Sequence, residues 1–298
     1  MQRIELVKDD LSFSRCIQGY WRLHEWQMSV SELQGFVEHG LEQGITTTDH
    51  ADVYGAFTEE GLFGKMLKQA PHLRERIEVV SKCGILFPCE VQPDVSEKHY
   101  NSSGDYIIRA AERSLRELHC DYLDVLLLHR PDPLMDADDV AQAFEVLKTT
   151  GKVRHFGVSN FTAAQFALLQ SRLDYPLVTN QLEISLIHSD YLFDGSLDYL
   201  QQQRVKPMAW SCLGGGEVFH DFQYKALREK ASHIARHYDA ELDQILLAFV
   251  MALPCQAMPL LGSGNTQRIT RQAAAVDIEL ERQHWFALLE AARGIAVP

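Results

Sequence analysis

The sequence has no CxxC pair, no HxH or HExxH cluster, and no apolar run approaching the about eighteen residues needed to cross a bilayer. Each absence excludes something. The six cysteines, at positions 16, 83, 89, 120, 212 and 255, are scattered without zinc-like spacing, which suits reduced thiols better than a disulfide framework. Thirteen histidines without clustered ligand spacing argue against a metal-dependent hydrolase. Basic residues are also short: 28 Lys and Arg against 41 Asp and Glu leave a net charge of −13, which disfavours nucleic acid or an anionic membrane as partner. The opening MQRIELVKDDLSF carries acids early and lacks an apolar core of signal-peptide length, so the expected location is cytoplasmic.

What is present is a regular alternation. Short apolar runs at 15–20, 45–50, 77–83, 124–130, 154–160, 178–184, 206–213 and 257–262 are separated by longer amphipathic stretches. Runs such as Val125-Leu126-Leu127-Leu128 are continuously apolar, as in parallel strands buried on both faces. Between them, Tyr106, Ile107, Ala110, Ala111, Leu115 and Leu118 form one helical stripe over 103–120. Thr162 and Gln165 have the spacing of a capping box. Eight β-then-α units predict an α/β fold, a closed (β/α)8 TIM barrel formed as one domain over 1–298. Residues 3–6 and 11–13, around Lys8-Asp9-Asp10, predict a β-hairpin closing the barrel floor. The long polar stretch 83–103 reads as a loop near the site. An open doubly wound sheet is the rival, resting on Gly262-Ser263-Gly264-Asn265-Thr266-Gln267. That motif lacks a third small residue, and too little chain follows it for a nucleotide-binding half.

Three polar side chains stand at the C-terminal ends of successive runs: Asp49, Lys82 and His129, with Tyr54 five residues beyond Asp49. In a barrel those ends converge on one rim, where barrel enzymes carry their chemistry. Taken singly, such an Asp caps a turn, such a Lys snorkels, and such a His or Tyr packs. Together they form a set.

Asp49-His50-Ala51-Asp52-Val53-Tyr54-Gly55, Ser81-Lys82, Leu128-His129-Arg130-Pro131-Asp132 and Gly157-Val158-Ser159-Asn160-Phe161 occur in this order, and the pattern resembles the aldo-keto reductases from Gly19-Tyr20-Trp21 to Arg268. The resemblance implies reduction of an aldehyde or ketone by hydride transfer from a nicotinamide dinucleotide, without metal. Hydride addition builds negative charge on the carbonyl oxygen, so an acid must supply a proton, and Tyr54 is the expected donor. A lysine ammonium within ~4–6 Å lowers a phenol pKa, while burial alone raises it. Lys82 is therefore expected to tune Tyr54, Asp49 to keep Lys82 charged, and His129 to orient the carbonyl.

The same resemblance implies cofactor contacts. Gly19, Tyr20, Trp21 and Asp49 lie beside the cofactor, and Trp21 also walls the substrate with Tyr54 and His129. Ser159, Asn160 and Gln181 suit the carboxamide, and Trp210 stands where relatives have a Tyr stacked on the nicotinamide. Ser211, Cys212, Leu213 and Gly214 resemble a pyrophosphate loop. Gly262, Ser263, Gly264 and Arg268 resemble the 2′-phosphate grip, with Gln272 at the adenine. Gly262 replaces a Lys found in many relatives, yet Arg268 favours NADPH (NADP+), with NADH the alternative. His50 replaces a small residue and either narrows the pocket or faces away. With little chain after 281–292, an open site for small-molecule carbonyls is expected. Monomer and weak dimer both remain open.

Overall fold

The computed structural model describes residues 1–296. It opens with β1 (Arg3–Val7) and β2 (Leu11–Ser14), an antiparallel hairpin in which Ile4 faces Phe13 and Asp9 takes a left-handed φ of 56° in the turn. The chain then runs β3 (Ile17–Gly19), α1 (Val30–Glu42), β4 (Thr47–Asp49), α2 (Glu59–Gln69) and β5 (Glu78–Cys83). A second small hairpin follows, β6 (Ile85–Leu86) with β7 (His99–Tyr100), inside the stretch expected as a loop. Next come α3 (Gly104–Leu118), β8 (Leu123–Leu128), α4 (Ala137–Thr149), β9 (Val153–Ser159), α5 (Ala163–Gln170) and β10 (Asn180–Glu183). The chain finishes with α6 (Ser196–Gln202), β11 (Met208–Trp210), α7 (Glu217–His220), α8 (Lys225–His237), α9 (Leu242–Met251), β12 (Met258–Leu261), α10 (Thr266–Ala273) and α11 (Arg282–Arg293).

Eight parallel strands close in the order β3-β4-β5-β8-β9-β10-β11-β12, with β12 pairing back to β3. This is the expected (β/α)8 barrel, with the N-terminal hairpin in place. Two features depart from the simple alternation. The connection from β11 to β12 carries three helices instead of one, and several strands are shorter than their apolar runs.

The strands sort their side chains by parity, since successive residues point to opposite faces. Ile17, Val80, Val125, Leu127, Val178, Met208 and Met258 fill the barrel, and the hairpin's Ile4, Leu11 and Phe13 pack onto them as a floor. The alternate residues, among them Val79, Cys83, Leu126, Leu128, Phe156 and Ala209, join the larger core under the helices. Helix starts are held locally. Ser29 and Glu32 form a capping box on α1, and Thr162 and Gln165 form one on α5.

Candidate active site

Parity carries the inward series up to the rim. Two residues beyond Val80 stands Lys82, and two beyond Leu127 stands His129. Lys82 is fully buried, and its ammonium donates to Asp49 Oδ2 at 2.7 Å, the His50 carbonyl at 2.8 Å and Tyr54 Oη at 2.8 Å. All three of its hydrogens are thus placed. Asp49 is held on its other oxygen, where Gln181 Nε2 donates to Oδ1 at 2.7 Å. The Tyr54 ring lies 5.8 Å from His129 and 6.4 Å from Trp21, centroid to centroid.

Of these groups Trp21, Asp49, Tyr54, His129 and Gln181 border a cavity of about 1120 Å3 that runs across the C-terminal rim. Trp21, Tyr54 and His129 line one end; Ser159, Asn160, Gln181 and Trp210 line the middle; Gly262, Ser263, Arg268 and Gln272 line the other end.

Burial sets the protonation states. It pushes the Tyr54 phenol well above its usual value, and the Asp49 carboxylate adds to the rise while Arg130 opposes it. Burial and Asp49 set this direction, and the ammonium of Lys82 stands against the phenol oxygen at 2.8 Å. Burial likewise pushes Lys82 down, against the pull of Asp49. His129 is pushed well below its usual value by burial and then by Lys82 and Arg130, so its imidazole is neutral.

The middle of the cavity is a network. Asn160 Nδ2 donates to Ser159 Oγ at 2.8 Å, Ser159 Oγ to the Gln181 carbonyl at 3.0 Å, and Trp210 Nε1 to Asn160 Oδ1 at 3.1 Å. Asn160 takes a φ of 61° and Ser211 one of 55°, left-handed conformations uncommon outside glycine. Beyond Trp210, Gly214, Gly215 and Gly216 all have positive φ, and the last two border the cavity with nothing near a notional Cβ. Such a turn exposes backbone to a ligand.

At the far end, Arg268 lies in the first turn of α10, where Asn265 caps its amide at 2.9 Å. One turn on, Arg271 grips the buried Asp243 carboxylate at 2.8 Å, and Gln272 Nε2 reaches the same carboxylate at 3.1 Å.

A dinucleotide fits this channel on two observations. Gln272 Oε1, beside the channel's far end, is buried without a partner, and a glycine turn borders the channel beyond Trp210. Such a buried atom is costly to leave unpaired in a folded protein.

Four expected residues lie off the channel's lining, among them Lys82, which is fully buried and reaches the channel only through Asp49 and Tyr54. The Tyr20 side chain lies in the outer core, 2% exposed and stacked on His50 at 5.0 Å, while its backbone amide donates to the Asp49 carbonyl at the rim. Gly264 sits under the Trp26 ring, and Gly214 against Ile187. His50 resolves as facing away, in a stack with Tyr20 and Phe63, its imidazole pushed down to about 3 by burial. Ile85, Phe87 and Lys98, from the stretch 83–103 expected near the site, border the cavity with Arg130 of the quoted motif, as do Arg22, Asp243 and Arg271, which the sequence reading did not single out. The spacing of Arg268, Arg271 and Gln272, three and four apart, was the available signal for Arg271.

The family model described as "Aldo/keto reductase family" matches residues 16–293, and the chain belongs to that family. It is 51% identical to "Oxidoreductase YdhF" of Escherichia coli (strain K12), with 100% of both chains covered. It is 42% identical to the "6-dehydroglucose reductase" of Agrobacterium fabrum, covering 99% of each. The structure of the glycerol dehydrogenase AKR11B4 from Gluconobacter oxydans superposes with a TM-score of 0.85 over 99% of this chain and 97% of that one, at 22% identity, a likeness of fold.

Proposed function

We propose that this protein, acting as one barrel domain, reduces aldehydes or ketones to alcohols with NADPH as the hydride donor and Tyr54 as the proton donor. The observation that carries the reading is the placement of buried Lys82 Nζ between Asp49 and Tyr54, both of which border the cavity. Because Lys82 donates to Tyr54 Oη, the phenol's own hydrogen is left for the carbonyl oxygen. A phenol held above its usual value keeps that hydrogen at neutral pH, as an acid should. Neutral His129 borders the same space and offers a donor that orients the carbonyl beside Tyr54.

The dihydronicotinamide, when bound, supplies the hydride to the carbonyl carbon. Ser159, Asn160 and Gln181 would hold its carboxamide and Trp210 one ring face. Ser211 through Gly216 would meet the pyrophosphate. Ser263 and Arg268 would meet the 2′-phosphate at the start of α10, where exposed amides also favour an anion. Arg271 is held by Asp243, which leaves Arg268, without an ion pair among the described residues, as the cation for that phosphate.

The substrate end mixes Trp21 and Phe87 with Arg22, Lys98 and Arg130. Cations beside aromatic walls suit a polar, hydroxylated carbonyl. The relative named as a 6-dehydroglucose reductase makes a sugar aldehyde the first substrate to try. Six unpaired cysteines suit a reducing compartment such as the cytoplasm.

The test is NADPH oxidation with a panel of simple aldehydes and 6-dehydroglucose, repeated with NADH. Turnover with NADPH at the higher kcat/KM is expected. No turnover with either cofactor on any carbonyl would end this reading.

A further inference from the structure

A second cavity, of about 530 Å3, lies outside the barrel between α3 and residues 86–101. Its wall on the helix side is formed by Arg109, Arg113 and Arg116 with Tyr106. The spacing of four and then three places the three guanidinium groups on one face of α3. In a chain with a net charge of −13, that concentration of positive charge is out of keeping with the rest of the surface. Arg113 Nη2 is ion-paired to Asp52 Oδ2 at 3.2 Å, in a geometry that falls short of a hydrogen bond. Arg109 and Arg116 form no ion pair among the described residues, although Asp94 lines the same cavity.

The cavity stands back to back with the active site. Along β6 and just beyond, Ile85 and Phe87 face the catalytic channel while Leu86 faces the arginines. Next to each other on the returning strand, Lys98 borders the channel and His99 the arginine cavity. Leu86 and His99 pair across the hairpin, so the two-residue hairpin is a thin wall with one ligand space on each side. A second link is Asp52, two residues before Tyr54. Its carboxylate receives Tyr106 Oη at 3.2 Å and pairs with Arg113, and both of these line the arginine cavity.

We propose that this cavity binds the phosphate group of a small phosphorylated molecule, and that the occupant sets the position of the β6–β7 wall against the carbonyl substrate. Planar guanidinium forks match phosphate oxygens in pairs, which favours phosphate over a single carboxylate. The volume lies within the range of small-molecule sites, about 300–1000 Å3, so the phosphate carries an organic body. The binding half of the inference is independent of the reading of the catalytic residues, because binding is measured without turnover; the coupling half rests on the proposed carbonyl reduction.

Calorimetry on the NADP+-saturated protein, repeated without cofactor, uses glucose 6-phosphate, inorganic phosphate and glucose as probes. Glucose 6-phosphate should bind this cavity once per chain and inorganic phosphate more weakly, while any heat from glucose, the alcohol product of 6-dehydroglucose, belongs to the catalytic channel and should be unchanged in the double variant. Arg109→Gln/Arg116→Gln, two exposed positions, should weaken both phosphate probes by about tenfold or more, with an unchanged melting temperature. Saturating glucose 6-phosphate should shift KM for an aldehyde severalfold with a smaller change in kcat, and the double variant should lose that shift. Absence of heat from both phosphate probes, or undiminished binding in the double variant, overturns the site. A KM shift that survives in the double variant assigns the effect to the catalytic channel and overturns the coupling, as does binding with no KM shift.

Discussion

Lys82 Nζ lies 2.8 Å from Tyr54 Oη, and yet the phenol is held well above its usual value because both groups are buried. This orders the two directions of the reaction. Reduction needs the phenol protonated, whereas alcohol oxidation needs it ionised. The rate of carbonyl reduction should stay nearly flat from about pH 6 to about pH 9, and alcohol oxidation should climb across the same span. A kcat profile in both directions checks this. Oxidation that peaks near neutrality would contradict it.

The pairing of Lys82 with Asp49 is buried on both sides, at 0% and 2% exposure of the side chains. Removing one partner strands the other charge. Lys82→Met should cost about 3–5 kcal/mol of stability besides most of the activity, and adding Asp49→Asn should restore a large part of the stability. Urea unfolding of the two single variants and the double closes the cycle. Additive losses would mean that the pair does not act as a unit.

Arg268 and Arg271 sit one turn apart with different duties. Arg268→Ala should weaken NADPH by roughly ten- to a hundred-fold and leave NADH nearly unchanged. Arg271→Ala frees the buried Asp243, which also holds Gln272, and should weaken both dinucleotides alike. Fluorescence titration with each cofactor separates the two patterns. Equal losses from Arg268→Ala would make that residue structural.

Much of this site was legible in the sequence because strand parity is strict. Val80 and Lys82 share a face, as do Val125, Leu127 and His129, and Met208 and Trp210, so residues inside the barrel point to residues at its rim. The same rule places Tyr20 opposite Ile17 and Gly19, and His50 opposite Asp49, which is why both pack outward. Other features depend on packing between distant segments. The Asp243–Arg271 grip requires α9 and α10 to meet, and the direction in which Tyr54 shifts depends on how fully the rim buries it. The three helices between β11 and β12 carry no motif that marks them in advance.

Asp52 is 2% exposed, and burial pushes its carboxyl up to about 7 despite Arg113. Between the ordinary carboxylate range and about 7, the folded protein keeps a proton that the unfolded chain has released. Stability should therefore fall as pH rises through that window. Asp52→Asn should flatten the slope, by roughly a few kcal/mol across the window. Denaturant midpoints at about pH 5 and about pH 8 supply the comparison, and parallel slopes in wild type and variant would contradict it.

The proton donor is the centre of the account, and Tyr54→Phe isolates it, since the ring stays while the hydroxyl goes. The direct measurement is the single-turnover rate of NADPH oxidation on an unactivated aldehyde, with NADPH affinity measured alongside. The account predicts a rate lower by about 10²–10⁴, with cofactor affinity nearly unchanged. A variant that keeps a near wild-type rate would show that the proton comes from another group.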